Sequence, residues 1–346
     1  MSVQSSSPRS SRLRPGARRV ALETLLAIER ASVFVDDALD RSLSRAGLDT
    51  RDRALAFELV YGVLRHQATL DWRLDQVADQ TISRLPALVK TVLRMGAYQL
   101  LYLEKVPPSA AVNESVKLVK FGKRRGSKDW TSFVNAVLRS LIREPTPPWP
   151  DPAQDPVAAL SVRYSCPAWL TQRWLHRFGS AAAEALCRAT STIPSLTIRT
   201  NTLRLTRDAL EANLVLAGYQ VKATDISPVG LILEKCGRVT KLPQFRAGEF
   251  YVEDEAAQLV PFILAPQPGE RVLDACAAPG GKATHLAALM QNHGEIVATD
   301  RSPKRLHLLE ENCRRLGVWI ITTVTADLTQ DLRGKQKVVA ELLDQP

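Results

Sequence analysis

The stretch RVLDACAAPGGKATHLAALMQNHGEIVATD, residues 271–300, decides the fold of the second half of this 346-residue chain. Its first four residues have the alternation of a short buried strand, and the apolar residues after a turn of small residues have helical spacing. Asn292 and Gly294 predict the end of that helix, and residues 296–298 predict a second strand. Strand, glycine turn, helix and strand form a βαβ unit, which predicts a parallel sheet with a right-handed crossover.

The turn in this unit lies at the predicted carboxyl end of the first strand, where open parallel sheets bind their ligands. Gly280 and Gly281 carry no Cβ, so a ligand can approach the backbone closely there. The helix start beyond them offers free amide N–H groups to a carboxylate or phosphate. Asp300, at the tip of the second strand, is placed to accept hydrogen bonds from two ribose hydroxyls. The sequence therefore predicts a site for an adenosine-type ligand with an anionic end.

The turn matches neither of two common nucleotide motifs. It is not G-x-G-x-x-G, and Lys282 is followed by Ala283 rather than by the Ser or Thr of a phosphate loop. The run D-x-C-x-A-P-G-G-K, residues 274–282, instead resembles motif I of the S-adenosylmethionine-dependent RNA cytosine-5 methyltransferases of the NOL/NOP/Sun superfamily. An acid at the first strand tip, Asp274, suits the positive amino group or sulfonium of that cofactor. The alternative is an ordinary glycine turn in a βαβ unit.

Composition favours a protein of a reducing compartment with an acidic partner. The net charge is +10 and the pI is near 9.6, so nucleic acid is the leading candidate partner. The five cysteines form no C-x-x-C pair, which favours neither a disulfide framework nor a zinc site and predicts a cytoplasmic protein. No apolar run approaches the length of a membrane span. We expect a monomer.

The first half of the chain predicts a helical domain. Residues 1–19 are rich in serine and arginine, and they predict either a disordered tail or an RNA-contacting arm. Residues 20–143 repeat apolar side chains at i, i+3 and i+4, which is typical of packed amphipathic helices. Prolines make residues 144–156 a stiff linker. A small α+β subdomain is predicted over residues 157–260 and the βαβ-containing domain over residues 261–346.

A cluster of cations predicts where RNA would contact the helical domain. Residues 117–128 contain no acid and read as a basic loop, either contacting phosphates or simply solvated. The predicted RNA-contacting residues in this stretch are Lys117, Lys120, Lys123, Arg124, Arg125 and Lys128. Two more are predicted in the α+β subdomain, Arg199 and Asn201.

Further stretches carry a resemblance over nearly the whole chain. Residues 52–66 (DRALAFELVYGVLRH) and 133–139 (FVNAVLR) resemble NusB-like RNA-binding domains. The R-x-N-x-L pattern at 199–203 resembles the small subdomain before motif I, although Glu253 stands where family members often have Gln. This order of domains resembles the Sun/Fmu-type 16S ribosomal RNA cytosine-5 methyltransferases. The resemblance implies S-adenosylmethionine as cofactor and small-subunit ribosomal RNA as partner. It also implies three parts: an all-α NusB-like domain, a small α+β subdomain and an incomplete α/β Rossmann-like methyltransferase domain.

The same resemblance assigns cofactor residues. The cradle of the methionine end would be Cys276, Ala277, Ala278, Pro279, Gly280, Gly281 and Lys282. Asp300 would hold the ribose with support from Arg305, Asp327 would face the adenine edge, and Asp344 would match the acid of the family's D-x-P-C motif. Cys276 is expected to be a small buried residue under the cofactor rather than a nucleophile.

Catalysis needs residues that the sequence does not contain. Methylation at cytosine C5 requires a thiolate that adds at C6 of a base turned out of its stack. The family's D-x-P-C and T-C-S cysteines are absent from a sequence that ends at Pro346. We therefore predict a truncated, catalytically impaired methyltransferase, its sheet stopping at about a fourth strand, residues 338–343. The main alternative is a non-catalytic NusB-type RNA-binding protein acting in transcription or ribosome assembly. A small-molecule methyltransferase or dehydrogenase is disfavoured, and His285 is expected to pack or to face solvent.

Overall fold

Among the described residues up to Ile193 the regular elements are helices, as the spacing of the apolar residues predicts. The computed structural model describes residues 16–31, 33–122, 128–234, 236–237 and 239–329. The described residues divide into two compact units, one up to Ile193 and one from Pro194 onward. The helices of the first unit are α1 Ala17–Ala31, α2 Val35–Ala46, α3 Thr50–Arg65, α4 Gln67–Asp75, α5 Ala87–Tyr102, α6 Pro108–Gly122, α7 Thr131–Arg143, α8 Pro156–Tyr164 and α9 Ala168–Ser191.

One contiguous apolar core joins α1 to α7. Apolar side chains at helical spacing are buried in it, such as Val134, Val137 and Leu138 of α7 and Val89, Val92 and Leu93 of α5. Gly62 lets α3 approach α5 closely, since a Cβ there would lie 2.0 Å from the ring of Tyr98. The apolar periodicity of the sequence thus predicted these helices and the faces that they bury.

Two boundaries in this unit differ from the prediction. Helix α1 begins at Ala17, so residues 17–19 are helical rather than part of a tail, and Arg18 Nε donates to Gln99 Oε1 at 2.7 Å. Residues 1–15 lie outside the described residues. Helix α6 continues to Gly122, which puts Lys117 and Lys120 on a helix instead of in a loop.

The segment after α7 packs with the first unit. Residues 144–155 are non-helical, as their prolines predict, and the ring of Trp149 stacks on that of Trp72 with 4.9 Å between centroids. Thr69 Oγ1 of α4 donates to the carbonyl of Val162 in α8 at 2.6 Å. Helix α9 breaks at Gly179, where φ is 76°, and a second helical stretch continues to Ser191. Helices α8 and α9 therefore pack with the helical unit instead of with the α+β subdomain.

The second unit opens with a small antiparallel sheet. Its elements are β1 Leu196–Thr200, α10 Arg207–Leu216, β2 Gln220–Ala223, β3 Gly230–Glu234, α11 Pro243–Arg246, β4 Phe250–Val252 and α12 Glu255–Leu264. The strand order is β2-β3-β1-β4. Thr206 caps α10, because its side chain accepts from the amide of Ala209.

The stretch quoted at the outset forms the βαβ unit that its pattern predicts. The elements are β5 Arg271–Asp274, α13 Gly281–Leu289, β6 Glu295–Asp300, α14 Pro303–Leu316 and β7 Ile321–Thr325. The three strands are parallel in the order β5-β6-β7. The predicted fourth strand, residues 338–343, lies outside the described residues. Among the described helices, none is long and apolar enough to cross a membrane.

Candidate cofactor site

Three carboxylates follow the carboxyl ends of the three parallel strands. Asp274 ends β5, Asp300 ends β6, and Asp327 comes two residues after β7. The amide of Ala326 donates to the carbonyl of Asp300 at 3.2 Å, so the carboxyl ends of β6 and β7 lie side by side. Because parallel strands end at one edge of the sheet, these acids lie along the edge at which such sheets bind ligands.

Asp300 is the most buried of these acids, with a side chain only 5% exposed. One carboxylate oxygen accepts from the amide of Ser302 at 2.9 Å, and the other pairs with Arg305 at 3.2 Å. Arg305 also donates to the carbonyl of Ala278, so it ties the glycine turn to Asp300. A carboxylate has about four lone-pair directions, and it can accept further hydrogen bonds from a ligand.

The charges around Asp274 suit a ligand end that carries both signs. Burial raises the pKa of Asp274, and the neighbouring Asp300 adds to that rise, whereas the amide of Cys276 and the charge of Lys282 lower it. The Cys276 amide donates to Asp274 at 3.2 Å. A cation at Asp274 would relieve the cost of a buried carboxylate, while exposed Lys282 offers positive charge to an anion.

The glycine turn brings its backbone against its neighbours. Gly280 has a φ of 106°, and a Cβ there would lie 3.0 Å from Leu309 Cγ. A Cβ on Gly281 would lie 2.7 Å from Glu253 Oε1. Helix α13 begins at Gly281 without a side-chain cap, so its first-turn amides remain available to a ligand.

A buried ion pair supports this turn from beneath. The guanidinium of Arg199 donates to the carbonyl of Gly281 at 2.7 Å and to Thr284 Oγ1 at 3.0 Å, and it pairs with Glu253 at 3.2 Å. Burial lowers the pKa of Arg199 to about 10, although the Glu253 charge opposes that change. Burial likewise raises the pKa of Glu253 against the opposing effect of Arg199. The pair links β1 of the antiparallel sheet to the start of α13.

Arg199 and Asn201 do not lie where RNA could contact them, which corrects the prediction made from the sequence. Both residues are at most 3% exposed. Asn201 donates to the carbonyls of Gly248 and Leu316, each at 2.8 Å. Their partners are intramolecular, so these side chains hold the antiparallel sheet against the βαβ unit.

Cys276 lies in surroundings other than those predicted, whereas His285 packs, which is one of its two expected alternatives. Cys276 is exposed at the turn, whereas a buried position was predicted. His285 is buried, with its ring edge-on to that of Phe262 at 5.0 Å between centroids. The structure does not describe Asp344. In the described parts of the chain, no group of His, Cys, Asp and Glu side chains could hold a metal ion.

The predicted RNA-contacting cations of the helical unit are partly described. Lys117, Lys120 and Lys128 are exposed, while Lys123, Arg124 and Arg125 lie outside the described residues. Lys117 pairs with Glu114 at 2.7 Å, and the Lys128 ammonium lies 4.2 Å from the centre of the Trp130 ring. An RNA phosphate would therefore compete with Glu114 for Lys117.

The fold defines the class: a parallel α/β domain with acids and a glycine turn at the carboxyl edge of its strands, preceded in the chain by a small antiparallel sheet and a helical unit. Three families match successive parts of the chain. The NusB family matches residues 15–143, the ferredoxin-like domain of the RsmF/B-like methyltransferases matches 166–240, and 16S rRNA methyltransferase RsmB/F matches 261–346. The predicted NusB-like, small α+β and methyltransferase parts are confirmed.

Relatives extend over most of the chain. The probable ribosomal RNA small subunit methyltransferase B of Synechocystis sp. is 39% identical, and the match covers 91% of this chain and 70% of that protein. The protein of the same description from Bacillus subtilis is 36% identical, with 90% and 68% covered. The crystal structure of PH0851 matches with a TM-score of 0.73 at 22% identity, over 96% of this chain and 72% of that one, and it supports the fold. The chain belongs to the ribosomal RNA small subunit methyltransferase B family.

Proposed function

We propose that this chain binds S-adenosylmethionine at the edge described above and serves the formation of 5-methylcytosine in 16S ribosomal RNA. The observation that carries the proposal is that Asp274, Asp300 and Asp327 end or follow three neighbouring parallel strands, with the glycine turn directly after Asp274. The description shared by the relatives supports ribosomal RNA as the substrate. The choice of cytosine C5 rests on the resemblance of residues 274–282 to motif I.

The residues present fit this cofactor by their chemistry. Asp300 would accept from the ribose hydroxyls while Arg305 holds its carboxylate in place. Asp274 would attract the ammonium or sulfonium. Lys282 and the first amides of α13 would bind the carboxylate. Asp327 would accept from the adenine edge, and the backbone of residues 276–281 would line the methionine end. Asp344 remains a predicted member of the site.

The bound cofactor would supply an electrophilic methyl group on a positively charged sulfur. The chain's own residues would position it, because a ligand held by several fixed groups at once reacts as if at high local concentration. The thiolate that must add at cytosine C6 is a separate requirement. These 346 residues contain neither a D-x-P-C nor a T-C-S motif. We therefore propose that a polypeptide of these residues binds cofactor and RNA without methylating RNA by itself, and that Cys276 contacts the cofactor instead of attacking the base.

Calorimetric titration of the full chain with S-adenosylmethionine tests the cofactor site. We expect micromolar binding, and Asp300→Ala should weaken it at least about tenfold, since a buried carboxylate that accepts hydrogen bonds contributes about 1.5–3 kcal/mol per bond. Asp225→Ala is the matched control because it removes one carboxylate that is 85% exposed.

The two variants separate the outcomes of that titration. Equal affinity in wild type and Asp300→Ala would contradict the assignment of Asp300. Absence of binding in a folded wild-type chain would contradict the proposed function as a whole. Methyl incorporation into RNA by the wild-type chain would contradict the proposal that these residues do not methylate RNA by themselves. If the incorporation survived replacement of every cysteine, it would also contradict the need for a cysteine thiolate.

The second candidate function is a non-catalytic RNA-binding protein of the NusB type. The match of the NusB family to all of residues 15–143 favours it. RNA binding together with no cofactor affinity in the same preparation would support this alternative. In either function we propose that Lys117, Lys120, Lys123, Arg124, Arg125 and Lys128 contact RNA phosphates. The monomeric state and the cytoplasmic location remain predictions.

A further inference from the structure

A cavity of about 360 Å³ lies between the first half of α6 and the last half of α7. The two helices run antiparallel and are joined by residues 123–130, so the cavity lies at the end of the pair away from that connection. Its volume is in the range of pockets that hold small ligands, roughly 300–1,000 Å³. It is distinct from the cofactor edge, which belongs to the second unit, and from the predicted basic stretch 117–128.

Two arginines give the cavity an uncompensated positive charge. Arg139 Nε donates to Asn135 Oδ1 and an Arg143 terminal nitrogen donates to Ser140 Oγ, each at 3.1 Å. Both acceptors are neutral, and neither arginine forms an ion pair with any carboxylate that the structure describes. A guanidinium has five N–H donors, so each arginine keeps donors for an anion. Glu114 on α6 is already engaged by Lys117 at 2.7 Å.

The rest of the lining is apolar with a few neutral polar groups. Val112 and Ile142 line the cavity, and Ile142 is 48% exposed despite its large apolar side chain. Ser109 and Asn113 add a hydroxyl and an amide on the α6 side. A simple inorganic anion would need only the cations. Charge beside an apolar wall and an amide instead matches a nucleotide, which joins a phosphate to a flat base.

We propose that this cavity binds one nucleotide of a single-stranded RNA segment. Arg139 and Arg143 contact the backbone phosphate, Ile142 and Val112 contact the base, and Asn113 and Ser109 hydrogen-bond its edge or the 2′-hydroxyl. The inference rests on the proposed function, in which RNA is the substrate, and it adds an RNA-binding point at the far end of α6. Because α6 has 15 residues, this point lies about 20 Å from the Gly122 end of α6, near which Lys117 and Lys120 lie. A strand following the α6–α7 groove would reach both.

Fluorescence anisotropy with a labelled 16-nucleotide single-stranded RNA tests the site in the full chain. The double variant Arg139→Ala/Arg143→Ala should bind about tenfold more weakly. Its slope of log affinity against log salt should be smaller by about 0.7 for each phosphate that the variant no longer neutralises. Ile142→Ala should weaken binding without changing that slope, because it removes an uncharged side chain. The matched control Arg45→Ala/Arg173→Ala removes two exposed arginines of the same unit and should change affinity less than twofold.

Crosslinking in the unmodified chain makes the test independent of how the variants fold. RNA containing 4-thiouridine should crosslink to peptides from residues 108–113 or 139–143, and crosslinks confined to other peptides would overturn the proposal.

The affinities of the two double variants have two further outcomes that would overturn the proposal. An equal decrease in both would mean that the net positive charge of the unit, not this cavity, attracts the RNA. Unchanged affinity in both would mean that the cavity does not bind RNA. If a nucleoside monophosphate or polyglutamate displaced the labelled RNA as strongly as unlabelled RNA does at the same salt concentration, an RNA segment would be overturned as the ligand. If the wild type binds RNA and all variants bind it equally well, only the proposal for this cavity is rejected. If the wild type binds no RNA, the proposed function itself is contradicted.

Discussion

Replacement of Arg199 by alanine should lower the free energy of unfolding of the second unit by about 3–5 kcal/mol. The substitution removes the cation that faces Glu253 at 3.2 Å and leaves a carboxylate that is 6% exposed. The carbonyl of Gly281 and the hydroxyl of Thr284 would each lose the hydrogen bond that they accept from Arg199, at 2.7 and 3.0 Å respectively. Since these bonds hold the start of α13, affinity for S-adenosylmethionine should fall together with stability.

Hydrogen exchange of β6 amides, followed by mass spectrometry, measures this destabilisation within the second unit of an otherwise intact chain. The double variant Arg199→Ala/Glu253→Gln should recover part of the stability, because no ionised carboxylate is then buried without a cation. Arg314→Ala removes an exposed arginine of the same unit and should have little effect. A destabilisation below about 1 kcal/mol, or no recovery in the double variant, would contradict the importance of the pair.

Arg199 also marks the limit of prediction from the sequence. The pattern of residues 271–300 predicts the βαβ unit because glycine turns and apolar spacing act over short distances. The sequence could not predict that β1 would be covered on both faces, so Arg199 reads as an outward residue of a half-buried strand. Its partners Gly281 and Thr284 are 82 and 85 residues further along the chain. Strand pairing explains the position of Glu253 near Arg199, because Glu253 directly follows β4 and β4 pairs with β1.

The acids of the cofactor edge show the opposite case. Asp300 and Arg305 are five residues apart, across the N-terminus of one helix, and the family resemblance implied that Arg305 would support Asp300. Asp274 and Asp300 end neighbouring parallel strands, so their proximity follows from the topology alone. The exposure of Cys276 could not be predicted in the same way, because it depends on how the turn after β5 bends. Local pattern determines the edge, and tertiary packing determines what supports it.

The cavity on α6 and α7 could not be found from the sequence either. Arg139 and Arg143 are four residues apart on an amphipathic helix, which is typical of an ordinary solvated face. Their role emerges only when Asn113 and Val112 of α6 lie opposite them. Consecutive basic residues, as at 117–128, are visible in the sequence, whereas basic residues that helical packing brings together are not.

The second unit should lose stability as the pH falls below 6.5, by about 2 kcal/mol at pH 5, through His285 alone. Burial lowers the pKa of His285 to about 3, and the nearby Arg199 charge adds to that effect. Neither ring nitrogen has a hydrogen-bond partner among the described residues. The folded chain therefore keeps His285 neutral, while the unfolded chain takes up a proton near pH 6.5. Stability is fully present above that pH and is lost towards pH 3, at about 1.4 kcal/mol per pH unit.

His285→Leu should remove this dependence, and hydrogen exchange of β6 amides at pH 7.5, 6 and 5 measures it. The pKa values of Glu253 and Asp274 are raised by burial, so these carboxyls gain protons on folding and act in the opposite direction. The difference between wild type and variant at each pH isolates the histidine from them. His293→Leu, at an exposed histidine of the same unit, should retain the wild-type profile.

The same variant decides whether His285 packs or takes part in binding. A buried imidazole without hydrogen bonds costs free energy, so leucine beside Phe262 should be neutral or stabilising at pH 7.5. Cofactor affinity should then be unchanged, because the ring packs against Phe262 and has no hydrogen-bond partner among the described residues. A variant of normal stability that no longer binds S-adenosylmethionine would contradict a packing role. It would instead place His285 in the ligand site, where its neutral form at physiological pH could accept a hydrogen bond.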